Sequence, residues 1–155
     1  MSSQILVICT ANICRSPVAE VFLRRLLGEK DVQIQSAGTR AVDGNHADPT
    51  MQTLMNARFP EMSDQLYHHS SQALTVEHLS RADLILGMEP AHLEWVNQRH
   101  PIALGKTKLL SHWSNRQAID DPVGQSEPTY LQSFEQIWSE CQLWSEKIPQ
   151  LGLCS

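Results

Sequence analysis

The stretch Ile5-Leu6-Val7-Ile8-Cys9-Thr10-Ala11-Asn12-Ile13-Cys14-Arg15-Ser16-Pro17 constrains this chain more than any other. Its four leading residues are apolar and mostly β-branched, a run that suits a strand buried on both faces. Ser16-Pro17 is a helix-start signal, because serine can cap and proline is comfortable at the first helical position. Between them lies a loop with a cysteine at its first position and an arginine six residues later. A strand entering a helix through such a loop aims several backbone N–H groups and the positive helix end at one point, which makes an anion site. The same field favours a thiolate at the base of the loop. Arg15 adds a planar fork suited to phosphoryl oxygens. The loop is suited to holding a tetrahedral oxyanion above a sulfur nucleophile, and phosphoryl transfer through a cysteinyl-phosphate is the chemistry that follows. The spacing alone also fits a structural Cys9 at a strand end with Arg15 as a surface charge. The buried strand before it and the helix start after it favour the chemical reading.

At 155 residues the chain suits a single domain, 1–155, long enough to bury a real core. Its 41% hydrophobic and 19% charged content is that of a globular protein rather than a disordered one. A net charge of −5 argues against non-specific binding to nucleic acid or anionic membranes, but not against a local anion site. No apolar run approaches membrane-spanning length, and no basic segment followed by a long apolar core opens the chain. The expectation is a cytoplasmic protein without membrane insertion. Four cysteines without a dense framework suit a reducing compartment, with Cys141 and Cys154 far from the loop in sequence.

Helical spacing of Val18, Val21, Phe22 and Leu26 predicts a helix from Pro17 to Leu27, with Arg24, Arg25, Glu29 and Lys30 on its wet side and exit. Val32, Ile34 and Ala37 alternate with Gln33 and Gln35 as a second strand, which runs into a turn at Ser36-Ala37-Gly38-Thr39. Ala47-Asp48-Pro49 is a second capped helix start, leading to Met51, Leu54 and Met55. Thr75 opens a short helix, Ala82 to Glu89 reads as a third buried strand, and Pro90 opens another helix. Thr107 to Leu110 is a short fourth strand. Tyr130, Phe134, Ile137, Cys141, Trp144 and Ile148 step by four and three along one long C-terminal helix, as core. Strands alternating with helices indicate an α/β fold, a parallel sheet covered on both faces. The adjacent His68 and His69 have no ligand partners at metal spacing nearby, so no metal is expected.

A phosphate monoester oxygen leaves poorly unless it is protonated. Asp120-Asp121-Pro122 supplies a candidate acid, since Pro122 holds the preceding Asp121 in an extended conformation on a stiff loop. Asp120 is either a like charge acting on Asp121 or a cap.

From Cys9 to Glu20 the chain resembles the phosphate loop and first helix of the low-molecular-weight protein tyrosine phosphatase family, and Asp121-Pro122 resembles that family's acid loop. The resemblance covers nearly the whole chain. It implies a small four-stranded parallel sheet with helices on both faces, no cofactor, and catalysis by Cys9, Arg15 and Asp121. Phosphate would be bound by Thr10, Ala11, Asn12, Ile13, Cys14, Arg15 and Ser16. Ser36 would hydrogen-bond Asn12, His69 would be structural, and Glu89 would sit near the site. The cleft walls would come from Arg40, Ala41, Val42 and Val123. Cys14 either resolves an oxidised Cys9 as a disulfide, a role known in the family, or fills loop space. The implied partner is a phosphotyrosine protein, such as an autophosphorylated bacterial tyrosine kinase.

Two departures stand out. Ala11 replaces the usual glycine, and a left-handed backbone there would strain it by roughly 1–2 kcal/mol. The family's cleft aromatics are also missing from the Arg40 loop and from Val123-Gly124. Arsenate reduction uses the same fold but needs a thiol relay, and this chain has no cysteine pair in its middle. A protein arginine phosphatase on this fold prefers a small polar residue where Ile13 stands. A non-catalytic phosphate-binding module would not need Cys9, Arg15, Ser16 and Asp121 together.

Overall fold

The computed structural model describes residues 2–28 and 30–153; Glu29 and Cys154, both named above, lie outside them. Strands β1 (Ser3–Cys9), β2 (Val32–Gly38), β3 (Leu84–Gly87) and β4 (Thr107–Leu109) form one parallel sheet in the order β2-β1-β3-β4. The apolar run places β1 at the centre, where Ile5, Leu6, Val7 and Ile8 are each 0% exposed. Their alternation splits the core. Ile5 and Val7 pack with residues of α1 (Arg15–Leu27), α2 (Pro49–Arg58), α3 (Ser63–Tyr67) and the long C-terminal helix, while Leu6 and Ile8 pack with Leu79 of α4 (Val76–Arg81) and Val96 of α5 (Pro90–Arg99). The last helix, α6 (Glu127–Gln150), buries the whole stripe from Tyr130 to Ile148. The α/β class and the four-stranded parallel sheet are as the sequence led us to expect.

Element edges differ in instructive ways. α1 starts at Arg15, two residues before Pro17, and its first turn has no side-chain cap. Ser16 is therefore not a cap: it lies inside the helix, and its hydroxyl is free for another partner. β3 stops at Gly87, because Met88 and Glu89 form the corner into α5, whose first residue Pro90 presets the helical φ. Leu110 leaves β4 to open a 3₁₀ turn, Leu110–Trp113. Asp48 does cap α2, its carboxylate accepting from the N–H groups of Thr50 and Met51.

Two packing features set the site's position. The aromatic edge of Phe22 meets Phe59, Phe134 and Trp138 at centroid distances of 5.3, 5.4 and 4.8 Å, which locks α1 against α6. Phe22→Ala should therefore lower the unfolding free energy by about 3–5 kcal/mol in a denaturant titration. At the other edge, a Cβ on Gly38 would lie 2.5 Å from the Thr10 carbonyl oxygen and 2.9 Å from the Asn12 nitrogen. Only glycine lets the end of β2 come so close to the loop. No helix among the described residues is long and apolar enough to cross a membrane.

Candidate active site

The strand order reverses direction at β1, between β2 and β3, and open α/β sheets bind ligands beyond the carboxyl ends of strands at such a switch point. The loop Thr10–Cys14 sits there and leads directly into α1. Carbonyl oxygens at its start and through its second half are held by surrounding segments. Cys9 O accepts from Thr39 N at 2.9 Å and Thr10 O from Arg40 N at 2.8 Å, while Ile13 O accepts from Asp48 N at 2.7 Å. Asn12 O accepts from His69 Nε2 at 2.7 Å. The backbone N–H groups from Ala11 to Cys14, by contrast, have no acceptor among the described residues. The first-turn N–H groups of α1 add further donors without intrahelical partners.

Asn12 holds this shape. It is fully buried and is the one loop residue in the left-handed region, with φ 57°. Asparagine tolerates that region better than most residues. Its Oδ1 accepts from Gln72 N at 2.9 Å, and its Nδ2 donates to Ser16 Oγ at 2.8 Å and to Ser36 Oγ at 2.9 Å. Ser36 in turn donates to Glu20 Oε1 at 2.5 Å. The expected strain at Ala11 does not arise, because the positive φ falls on Asn12 instead; Ala11 is exposed and needs no glycine.

Cys9 is 2% exposed, and its Sγ lies 2.9 Å from Ser16 Oγ. Arg15 is likewise 2% exposed, with Nη1 donating to Glu89 Oε2 at 2.6 Å and to Ile119 O at 2.8 Å. Its Nη2 lies 4.0 Å from Asp121 Oδ2, and that carboxylate is 49% exposed. Oδ1 of Asp121 accepts from Val123 N, a local turn that fixes its side chain. Cys14 is buried beside Cys9, and burial first, then the negative charges of Asp48, Cys9 and Asp121, push its thiol well above the usual range.

The fold thus brings Cys9, Arg15, Ser16, Asn12, Ser36, Glu89 and Asp121 together. Asp120 stands apart: it is exposed, and its backbone carbonyl rather than its carboxylate is engaged, by the Ser133 hydroxyl. It caps no helix, since α6 begins after Ser126. Arg40 and Val42 are exposed and Ala41 is half-buried, on a segment whose Val42 carbonyl is tied to Ser71 Oγ. Val123 is exposed on the Asp121 loop. Three contributors escaped the sequence reading. Gln72 offers a backbone N–H, which no side-chain pattern reveals. Tyr130 reads as core, yet its hydroxyl donates to Asp48 Oδ2 at 2.9 Å, and burial together with that bond pushes its phenol up so that it stays a donor. His92 carries one signal in the sequence, its place three residues after Glu89 at a Pro-marked helix start.

The sequence matches, over residues 4–151, the family model described as low molecular weight phosphotyrosine protein phosphatase. The chain belongs to that family. Among its relatives, a protein of Klebsiella pneumoniae described as a putative low molecular weight protein-tyrosine-phosphatase is 36% identical, covering 96% of this chain and 99% of its own length. The solved structure of the tyrosine phosphatase Wzb from Escherichia coli K30 in complex with phosphate is 35% identical, with a TM-score of 0.83 and coverage of 96% of this chain and 99% of that one. The YwlE arginine phosphatase from Geobacillus stearothermophilus has the same fold at TM-score 0.83, with 26% identity over 97% of this chain and 96% of that one.

Proposed function

We propose that this chain is a protein tyrosine phosphatase that hydrolyses phosphotyrosine, and small aryl phosphates, through a cysteinyl-phosphate on Cys9. The observation that carries the reading is the loop between Cys9 and Arg15, where the carbonyls of Thr10, Asn12 and Ile13 are taken by the protein while the N–H groups from Ala11 to Cys14 find no acceptor among the described residues. Family membership supports the substrate class.

In the first step the Cys9 thiolate attacks phosphorus in line. The S–P bond forms, the P–O bond to the leaving phenolate breaks, and Asp121 gives that oxygen its proton. The loop N–H groups of Thr10 to Ser16 and the Arg15 guanidinium hold the three phosphoryl oxygens, in a geometry that Asn12 and Ser36 maintain. In the second step Asp121 takes a proton from water, whose oxygen bonds to phosphorus as sulfur leaves. Ser16, within hydrogen-bond reach of Sγ, stabilises the departing thiolate. No step is routed through a metal, since Arg15 and the backbone supply the positive charge. Arg40, Ala41, Val42 and Val123 form the cleft walls in this reading, and aliphatic walls grip a phenyl ring over less area than aromatic ones. Activity on simple aryl phosphates is therefore measurable but poor. Ile13 supports tyrosine over arginine as the phosphorylated residue. An arsenate relay lacks a second thiol among the described residues outside the loop other than Cys141, which is buried in α6 against the Ala19 carbonyl.

We read residues 1–155 as one phosphatase domain, in line with the span of the family match. The proposed partner is a phosphotyrosine protein such as an autophosphorylated bacterial tyrosine kinase. Cys9, Cys14 and Cys141 are all free thiols, which supports a cytoplasmic setting where they stay reduced. The test is turnover of p-nitrophenyl phosphate, phenyl phosphate and a phosphotyrosine peptide with EDTA present. Wild type should turn over all three. Asp121→Asn should lower kcat/KM, which reports the leaving-group step, by about 10²–10⁴-fold on phenyl phosphate and less on p-nitrophenyl phosphate, whose leaving group needs less protonation. An inert wild type overturns the reading, and a loss independent of the leaving group removes Asp121 from the acid role.

A further inference from the structure

We propose that His92 is a positioning residue of the phosphatase reaction, acting as a neutral imidazole that ties the corner carrying Glu89 to the phosphate loop at Thr10. The inference rests on the function proposed above and extends it to a residue that touches neither substrate nor nucleophile.

His92 is 2% exposed on the first turn of α5. Its Nδ1 lies 3.2 Å from the backbone nitrogens of both Met88 and Glu89. Both are N–H donors, so Nδ1 accepts and carries no proton. In a neutral imidazole the proton is then on Nε2, which lies 3.0 Å from Thr10 Oγ1 and donates to it. Burial, with the Arg15 guanidinium next, pushes the His92 pKa down to about 4, against the opposing pull of Glu89 and Asp121. Those three charged groups face the ring from α1, from the α5 start and from the acid loop. The neutral tautomer is thus the one that both ends of the ring demand.

Two parts of the machinery, Arg15 and the segment entering the acid loop, meet at the Met88–Glu89 corner and are tied to each other. Glu89 Oε2 holds Arg15 Nη1 at 2.6 Å. Met88 O accepts from Ile119 N at 2.9 Å, two residues before Asp121. Ile119 O is the second anchor of Arg15, at 2.8 Å. Asn12 fixes the phosphate loop to the β2 side through Ser36 and Gln72, yet none of those contacts reaches the corner. The side-chain link between the residue following Cys9 and that corner is His92 to Thr10. It sets how far the guanidinium and the acid stand from the sulfur.

Asparagine and glutamine separate the two ends of the ring. The Asn carbonyl stands where Nδ1 does, whereas the Gln amide reaches the place of Nε2. His92→Asn, His92→Gln, Thr10→Val and the double His92→Asn/Thr10→Val are assayed in the full chain with p-nitrophenyl phosphate, alongside Tm and the Kd for inorganic phosphate. We expect His92→Asn and Thr10→Val each to lower kcat by about fivefold to tenfold, the size of one lost hydrogen bond, with KM changed by less than about twofold. The double variant should be no worse than the poorer single, because both remove the same link. His92→Asn should keep its Tm, whereas His92→Gln should lose about 4 °C or more yet keep kcat within about twofold of wild type. A wild-type kcat in His92→Asn, additive effects in the double, or a kcat that simply follows Tm across the set would overturn the proposal. An inert wild type would instead count against the proposed function. In that case a phosphate Kd weakened in His92→Asn and Thr10→Val would uphold the link, and an unchanged one would overturn it.

Discussion

Cys9→Ser should abolish turnover of p-nitrophenyl phosphate, by roughly 10⁴-fold or more, while leaving inorganic phosphate binding close to wild type. Serine has the same shape with oxygen in place of sulfur, and a hydroxyl at this position still meets Ser16 Oγ, which lies 2.9 Å from the present Sγ. The oxyanion grip is untouched, because it comes from the loop N–H groups and from Arg15 rather than from the thiol. What disappears is a sulfur nucleophile that is also a competent leaving group in the second step. The check is kcat together with a calorimetric Kd for phosphate. Residual turnover near one tenth of wild type would mean that the Cys9 sulfur is not the nucleophile that attacks phosphorus, and that a water attacks it directly.

Arg15→Lys should lower kcat by about 10²–10³-fold and weaken phosphate binding, although the charge is conserved. The reason is geometric. One nitrogen of the guanidinium already serves Glu89 and the Ile119 carbonyl, at 2.6 and 2.8 Å, leaving the other side of the fork toward Asp121 and the site. A lysine ammonium is a single point of charge: it either replaces the anchor or meets the phosphate. Removing the anchor also leaves Glu89 facing the site as an unmatched negative charge. If Arg15→Lys retained more than about a third of wild-type kcat, the planar fork would have no special role and simple charge would suffice.

Much of this was legible from the residues. β1 was readable because four consecutive apolar residues have few homes other than the centre of a parallel sheet, and α6 because its stripe repeats over many turns. The Cys9–Arg15 loop was readable because its chemistry is local in sequence. Contacts that join distant segments were not. Serine before proline is a common cap signal, but Ser16 lies inside α1 with its hydroxyl 2.9 Å from Cys9 Sγ, which supports its role as a partner of the sulfur rather than as a cap. The family's usual glycine at position 11 points to a left-handed backbone there, whereas the positive φ falls on Asn12, where Ser36 and Gln72 arrive from elsewhere in the chain to hold it. The 3₁₀ turns at Pro60–Met62 and Pro101–Lys106 are too short to show a period. His92 carried no signal beyond its spacing from Glu89, because a buried polar pair across two elements leaves no pattern in either.

The reach of the Arg15 contacts has a consequence for how the protein comes into being. Ile119 is 104 residues further along the chain than the arginine it holds, and Glu89 is 74. A nascent chain therefore presents the nucleophile long before the clamp that arms it exists. Contacts of such separation form late, after the entropy of closing long loops has been overcome. The growing polypeptide cannot act on phosphate while it is being made, and a chain stalled before the Asp121 loop would be an inert protein with an intact Cys9–Arg15 motif. Hydrolytic competence in this molecule is a late event of folding, coincident with completion of the core.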